Sequence, residues 1–297
     1  MIRILHFSDV HVHVPVWKMP WRGFFGKRFF GAANLYLRRS RRFLNAPQKL
    51  AALAEFVRVR GIDLVLFTGD CTALGTEPEY KAARAAMDPL TEAPMGMLCI
   101  PGNHDLYLPD SVAERNYERY FGDLTASDLP EVAVDGRWPL VRLIEDSVAL
   151  IAVNSARPNP KLWLSTGSVP DVQLEALPKL FAHAEMRNRF IFVLTHFGPR
   201  RRDGTPDTSL HGFDNGEAFL SSCADLKPGA VLHGHIHERY FLRVEGVEPP
   251  IFNAGSATYE GRESIWVFEI EGEKRRAIPG KWYHDRYLLD EGSLIDF

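Results

Sequence analysis

The sequence predicts a mixed α/β fold with two sheets flanked by helices. Short apolar runs of strand length, such as Ile2-Arg3-Ile4-Leu5-His6-Phe7, alternate with stretches of helical spacing through the first half. The second half adds more such pairs and then continues as a run of short strands. The 297 residues, 45% hydrophobic and 25% charged, are ordinary for a soluble globular chain able to bury a sizeable core.

The first strand is followed by an insertion at residues 14–46. Residues 47–60 carry helical spacing in Leu50, Leu53, Phe56 and Val57 and stop at Gly61, after which 63–68 read as a strand. A second helix at 77–90 leads into a strand at 97–100, and a third at 111–121 stops at Gly122, completing a βαβαβ start. Strands at 140–144 and 148–153, a helix at 172–186, the strand 190–194 and a helix at 215–226 follow. Short strands at 231–232, 239–244, 251–252 and 265–270 come last. Both halves feed one set of polar motifs, so residues 1–297 read as a single domain.

Those motifs are Asp9-Val10-His11, Gly69-Asp70, Gly102-Asn103-His104-Asp105, the lone His196, and His233-Gly234-His235-Ile236-His237. Each follows, or nearly follows, an apolar strand, and ligands delivered from strand ends can converge. Seven of the residues are hard or borderline metal ligands: Asp9, His11, Asp70, Asn103, His196, His235 and His237. Imidazole with carboxylate and amide oxygen suits Zn, Mn, Fe or Ni. Seven ligands exceed the need of one ion that keeps an open position, and a carboxylate such as Asp70 can bridge two ions roughly 3.5–4 Å apart. Two such ions bind an anionic phosphate oxygen and lower the pKa of a shared water, which implies hydrolysis at phosphorus.

In this order the motifs resemble the calcineurin-like metallophosphoesterases, among them the class III cyclic nucleotide phosphodiesterases and the related pyrophosphatases of lipid precursors. The resemblance runs from Asp9 to His237. It implies a four-layer α/β/β/α sandwich, a first metal on Asp9, His11 and His237, a bridging Asp70, and a second metal on Asn103, His196 and His235. His104 remains outside both sets. A histidine titrating near neutrality can protonate a leaving alkoxide, so His104 is expected to be the general acid, with a hydroxide shared by the metals as nucleophile. Asp105 is expected to support it by orienting the ring or raising its pKa. His233 is read as structural or supporting, and His6, His13, His183, His211 and His284 as ordinary core or surface residues. Phe197-Gly198 replace the His-Pro often found after this ligand in the family, a change that bears on substrate contacts and leaves the metals intact.

The insertion at 14–46 mixes Trp17, Trp21, Phe24, Phe25, Phe29, Phe30, Leu35, Tyr36 and Leu37 with Lys18, Arg22, Lys27, Arg28, Arg38, Arg39, Arg41 and Arg42, and no acid occurs between Asp9 and Glu55. Two readings are open: an interfacial anchor on an anionic membrane, or a lid that packs its aromatics inward. Because it follows His11 directly, it should overhang the metal site and help choose the substrate. A net charge of −3 gives no basic bias toward nucleic acid. Arg200, Arg201 and Arg202 follow His196, and one of these forks can hold a second phosphate or a neighbouring group. Three cysteines without metal or redox spacing favour a reducing compartment. A first strand at Ile2 and no bilayer-length apolar stretch make the cytoplasm the expected location, with peripheral contact at the inner membrane face under the anchor reading. The expected activity is therefore a dinuclear phosphodiesterase on a small soluble diester. The alternatives are a membrane-surface pyrophosphatase or phosphodiesterase on a lipid-linked substrate, and a metal-bearing scaffold without turnover, against which an intact His104 argues.

Overall fold

The computed structural model describes residues 1–19, 27–34, 42–43, 45–159, 161 and 163–297. In chain order the elements are β1 (Ile2–Phe7), α1 (Lys27–Asn34), α2 (Ala46–Arg60), β2 (Leu64–Phe67), α3 (Glu77–Met87), β3 (Met97–Cys99), α4 (Pro109–Ala113), α5 (Asn116–Phe121), β4 (Leu140–Ile144) and β5 (Val148–Ala152). They continue with α6 (Asp171–Phe181), β6 (Phe190–Leu194), α7 (Gly216–Cys223), β7 (Gly229–His233), β8 (Tyr240–Leu242), β9 (Ile251–Asn253), β10 (Ser264–Glu271), β11 (Lys274–Tyr283), β12 (Arg286–Leu289) and β13 (Ile295–Asp296).

Two mixed sheets result. One runs β12-β11-β10-β1-β2-β3 with β13 on β11, and the other β4-β5-β6-β7-β9-β8. Alternation along β1 shows the layering: Ile2 and Ile4 join the core shared with Phe192, Leu194 and Leu232 of the second sheet, whereas Leu5 and Phe7 face the core formed with Leu50 and Leu53 of α2. On the far side of the second sheet, Val193 and Val231 pack with Leu177 of α6 and Phe219 of α7. The layers are helices, sheet, sheet, helices, as the sequence predicts.

The expected helix at 111–121 is two short helices, because Arg115 between them takes φ +53°. The helix expected to reach 186 stops at Phe181 with Pro178 in its last turn, and His183 caps a separate turn over Ala184–Met186 by accepting from the Glu185 N–H at 3.2 Å. β11, β12 and β13 lie beyond the last expected strand.

Part of the insertion is packed. Arg28 of α1 is buried, ion-paired to Asp110, and donates to the Leu74 carbonyl at 3.2 Å and Ser111 Oγ at 2.7 Å. Gly31 allows this closeness, since a Cβ there would stand 2.5 Å from the Tyr107 hydroxyl. Phe29 and Phe30 are 54% and 58% exposed and Trp17 82%. Trp21, Phe24, Phe25, Leu35, Tyr36, Leu37, Arg22, Arg38, Arg39 and Arg41 lie outside the described residues.

Candidate metal centre

The parallel strands β1, β2 and β3 end on one side of the first sheet, and β6 and β7 end facing them from the second. The loops beyond carry Asp9 and His11, Asp70, Asn103 and His104, His196, and His235 and His237. The two loops after β1 and β2 are zipped together: Asp9 N–H donates to the Gly69 carbonyl at 2.9 Å, and Val10 and His11 N–H both donate to the Asp70 carbonyl at 3.0 Å. Asp9, His11, Asp70 and His235 all have positive φ, between 44° and 67°. Such a backbone is costly for residues other than glycine and persists where surrounding bonds over-determine it, often at functional sites.

The side chains meet as two groups joined by Asp70. In the first, His237 Nε2 lies 3.1 Å from Asp9 Oδ1 and 3.1 Å from His11 Nε2. In the second, Asn103 Oδ1 lies 3.0 Å from both His196 Nε2 and His235 Nδ1. Asp70 Oδ1 accepts the His104 N–H at 2.7 Å, while its Oδ2 stands 3.7 Å from His11 Nε2 and 3.5 Å from His196 Nε2. Asp9, His11 and His237 form one set that can hold an ion, and Asp9, Asp70 and His196 another.

Backbone carbonyls fix the tautomers. His196 donates from Nδ1 to Thr68 at 2.7 Å, His235 from Nε2 to His211 at 2.7 Å, and His11 from Nδ1 to Thr72 at 3.2 Å. A carbonyl only accepts, so each histidine turns its unprotonated nitrogen toward the cluster. Asn103 spends its amide NH₂ on Ser165 Oγ at 2.9 Å and turns its oxygen inward. The Asn103 oxygen and the unprotonated nitrogens of His196 and His235 are therefore three acceptors at contact distance, and no hydrogen bond can join them. A cation between them satisfies all three. Burial lowers the pKa of His196, and burial followed by the charge of His196 brings His235 down to about 3. Burial raises Asp9, but its His11 and His237 neighbours outweigh it and hold the carboxyl well below its usual range. Neutral imidazole and ionised carboxylate are the ligating forms. The residues present fit divalent ions of the kind that takes nitrogen and oxygen donors.

His104 donates from Nδ1 to the Ala73 carbonyl at 2.6 Å and stacks on Tyr107. Its ligating atoms also fall within reach of His11 and Asp70, so geometry alone admits it as a ligand as well as a proton donor. The expectation that Asp105 orients this ring needs correction. Asp105 Oδ2 accepts from the N–H of Asp70 and Gly102 at 2.9 Å and of Cys71 at 3.3 Å. Its Oδ1 accepts from Thr72 N–H at 3.0 Å, Thr72 Oγ1 at 3.1 Å and Cys71 Sγ at 3.0 Å. Both oxygens are occupied in binding the Asp70 loop to the Asn103 loop, and the His104 ring is held by Ala73.

His233 is fully buried against Tyr240 behind the cluster, and His6 bonds Thr68 Oγ1 at 3.0 Å, so both are structural. Phe197 is also buried, 4.2 Å from the His235 ring, and Gly167 leaves room for it, since a Cβ there would fall 2.1 Å from Phe197 Cδ2. Phe197 therefore packs behind His235 and lines no part of the open cleft over the cluster. Sequence reasoning missed the carbonyls of Thr68, Thr72, Ala73 and His211, which have no side-chain signature. It also missed Ser165 and Trp163. These two line an open cleft of about 960 Å³ over the cluster together with Phe30, Phe43, Tyr107 and Arg201. Among the described residues no helix is long and apolar enough to cross a membrane.

A family model described as calcineurin-like phosphoesterase matches residues 2–239. No curated protein matches the sequence. Among solved structures, the chain is similar to a dimetal phosphatase from Danio rerio, with TM-score 0.63 and 10% identity over 97% of this chain and 98% of that one. It is also similar to the purple acid phosphatase PPD1 from yellow lupin seeds, with TM-score 0.60 and 12% identity over 97% of this chain and 53% of that one. The protein TT1561 of Thermus thermophilus aligns with TM-score 0.53 and 13% identity over 93% of this chain and 97% of that one. These likenesses show a shared fold. The family match extends over most of the chain and includes every strand-end loop described above, so this protein belongs to the calcineurin-like phosphoesterases, hydrolases that use a dinuclear divalent metal centre.

Proposed function

We propose that the protein hydrolyses a phosphodiester at a dinuclear centre held by Asp9, His11 and His237 on one side and Asn103, His196 and His235 on the other, with Asp70 between. The observation that supports this most is Asp70 Oδ2, which faces an unprotonated histidine nitrogen of each set, at 3.7 Å and 3.5 Å. When bound, two divalent ions, Mn, Fe, Zn or Ni, neutralise phosphoryl oxygens and activate water for attack at phosphorus. The chain's own residues supply the rest. With Nδ1 committed to Ala73, His104 presents Nε2 to the cleft, where a proton on that atom can pass to the departing oxygen. The open cleft extends to both sides of Asp70, which suits a diester with two substituents. Asp105 keeps the Asp70 and Asn103 loops in register. A bare scaffold would have no use for a cleft-facing His104.

Replacing His104 by Ala tests this reading. The variant should keep two metals per chain and lose on the order of 10²–10⁴ in turnover with an alkyl leaving group, the usual worth of general acid catalysis. It should lose far less with nitrophenolate. Equal losses on both substrates would mean that His104 is not the proton donor, and loss of a metal would mean that it ligates one.

A second reading, action at a membrane surface on a lipid-linked diester or pyrophosphate, is favoured by the exposed Trp17 and Phe29 and by the exposed Phe30, which lines the cleft. The buried Arg28 favours a lid instead.

A further inference from the structure

The three consecutive arginines after His196 have different surroundings. Arg200 pairs with Glu217 at 2.7 Å and Arg202 with Glu238 at 2.9 Å. Arg201, between them, has no carboxylate within ion-pair distance among the described residues, and it alone of the three lines the cleft. Its backbone is fixed: its N–H donates to the Thr205 carbonyl at 2.7 Å, and its carbonyl accepts from Gly204 at 2.9 Å in a turn where Gly204 takes φ +82°. The Tyr240 hydroxyl bonds the preceding Arg200 carbonyl, tying the turn to β8. Asp207 borders the same wall without pairing to Arg201.

We infer that Arg201 is a specificity determinant that receives a second anionic group of the substrate, a phosphate next to the one being hydrolysed. The inference rests on the phosphoesterase reading and deepens it. A guanidinium is a planar fork that meets phosphate through two parallel hydrogen bonds, and a turn pinned on both flanks leaves only the side-chain rotamers to be ordered on binding. The stretch of cleft wall that Arg201 lines then holds the second phosphate. Asn103, His196 and His235 border the first.

The test uses the full-length, Mn-loaded protein and two probes that differ by one phosphate, thymidine 5′-monophosphate and thymidine 3′,5′-bisphosphate, titrated by calorimetry. The bisphosphate should bind at least about tenfold more tightly, the range expected for a charge-assisted arginine–phosphate pair, and Arg201→Gln should erase that preference. Arg202→Gln, on the flank, should preserve it. Equal binding of the two probes by wild type, or a preference that survives Arg201→Gln, overturns the inference. Hydrolysis of bis(p-nitrophenyl) phosphate measured alongside separates the two ideas. Turnover without a bisphosphate preference removes the Arg201 site and leaves the phosphoesterase reading. A preference without turnover does the reverse.

Discussion

Replacing Asp105 by Asn changes one atom in a side chain that lines no part of the cleft, yet it should destabilise the protein measurably. Each carboxylate oxygen accepts three donors, and an amide nitrogen can accept none. With the nitrogen at the Oδ2 position, the N–H groups of Asp70, Cys71 and Gly102 all lose their acceptor. With it at the Oδ1 position, one N–H, that of Thr72, loses its acceptor, and the hydroxyl and thiol can turn elsewhere. The second arrangement is cheaper and should be adopted. It leaves a buried N–H unmatched, which costs about 1–3 kcal/mol, and weakens three charge-assisted bonds to neutral ones. Relief from burying a charge offsets part of this, so a net loss of about 2–4 kcal/mol is expected. For a chain of this size that lowers Tm by roughly 4–10 °C. Because the Asp70 and Asn103 loops are what Asp105 joins, metal affinity should fall too. Urea denaturation of the metal-free chains and metal titration of the folded ones measure both effects. A variant within about 0.5 kcal/mol of wild type would refute this account of Asp105. If that stable variant also showed a shifted pH–rate profile, the sequence expectation of an Asp105–His104 couple would return.

Glu79 is fully buried as the N3 member of the capping box that starts α3, with Oε2 accepting from Leu74 N–H at 3.0 Å and Thr76 Oγ1 at 2.9 Å. Burial pushes its carboxyl up to about 7, against the Thr76 and Leu74 donors and the Arg28 charge. A folded pKa above the unfolded one favours the protonated form. Its contribution is therefore complete below the unfolded pKa and lost as pH rises through about 7, at up to about 1.4 kcal/mol per pH unit. Glu79→Gln should flatten this slope, and parallel urea midpoints for wild type and variant from pH 5 to 8 would contradict it. For the membrane-surface reading, wild type should float with anionic vesicles at low salt and less at high salt, and a Phe29→Ser/Phe30→Ser variant should float less. Wild type that ignores the vesicles leaves the insertion as a lid over a soluble substrate.

The positions of the Asp, Asn and His residues that converge were legible because each sits just past an apolar strand, and β1, β2, β6 and β7 were readable from their apolar runs. The layer order followed from the same strands. The support of the site was not legible. Asp105 bonds the backbone N–H of Asp70, far back along the chain, and no side-chain pattern announces that. The carbonyls that set the histidine tautomers are equally silent in sequence. β11 carries Pro279 and Gly280, residues that argue against a strand, and its charged start hides its pairing with β10. The break between α4 and α5 falls at Arg115, where neither glycine nor proline marks it. Arg201 looks like its neighbours until the acids that hold Arg200 and Arg202 are placed in space.

The central claim is a two-ion centre with Asp70 in the middle. Crystals grown with Mn²⁺ and measured for anomalous scattering test it most directly. Two peaks roughly 3.5–4 Å apart are expected, both in contact with Asp70, one among Asp9, His11 and His237 and the other among Asn103, His196 and His235. A single peak, or a second peak ligated by His104 in place of Asn103, His196 and His235, would contradict it.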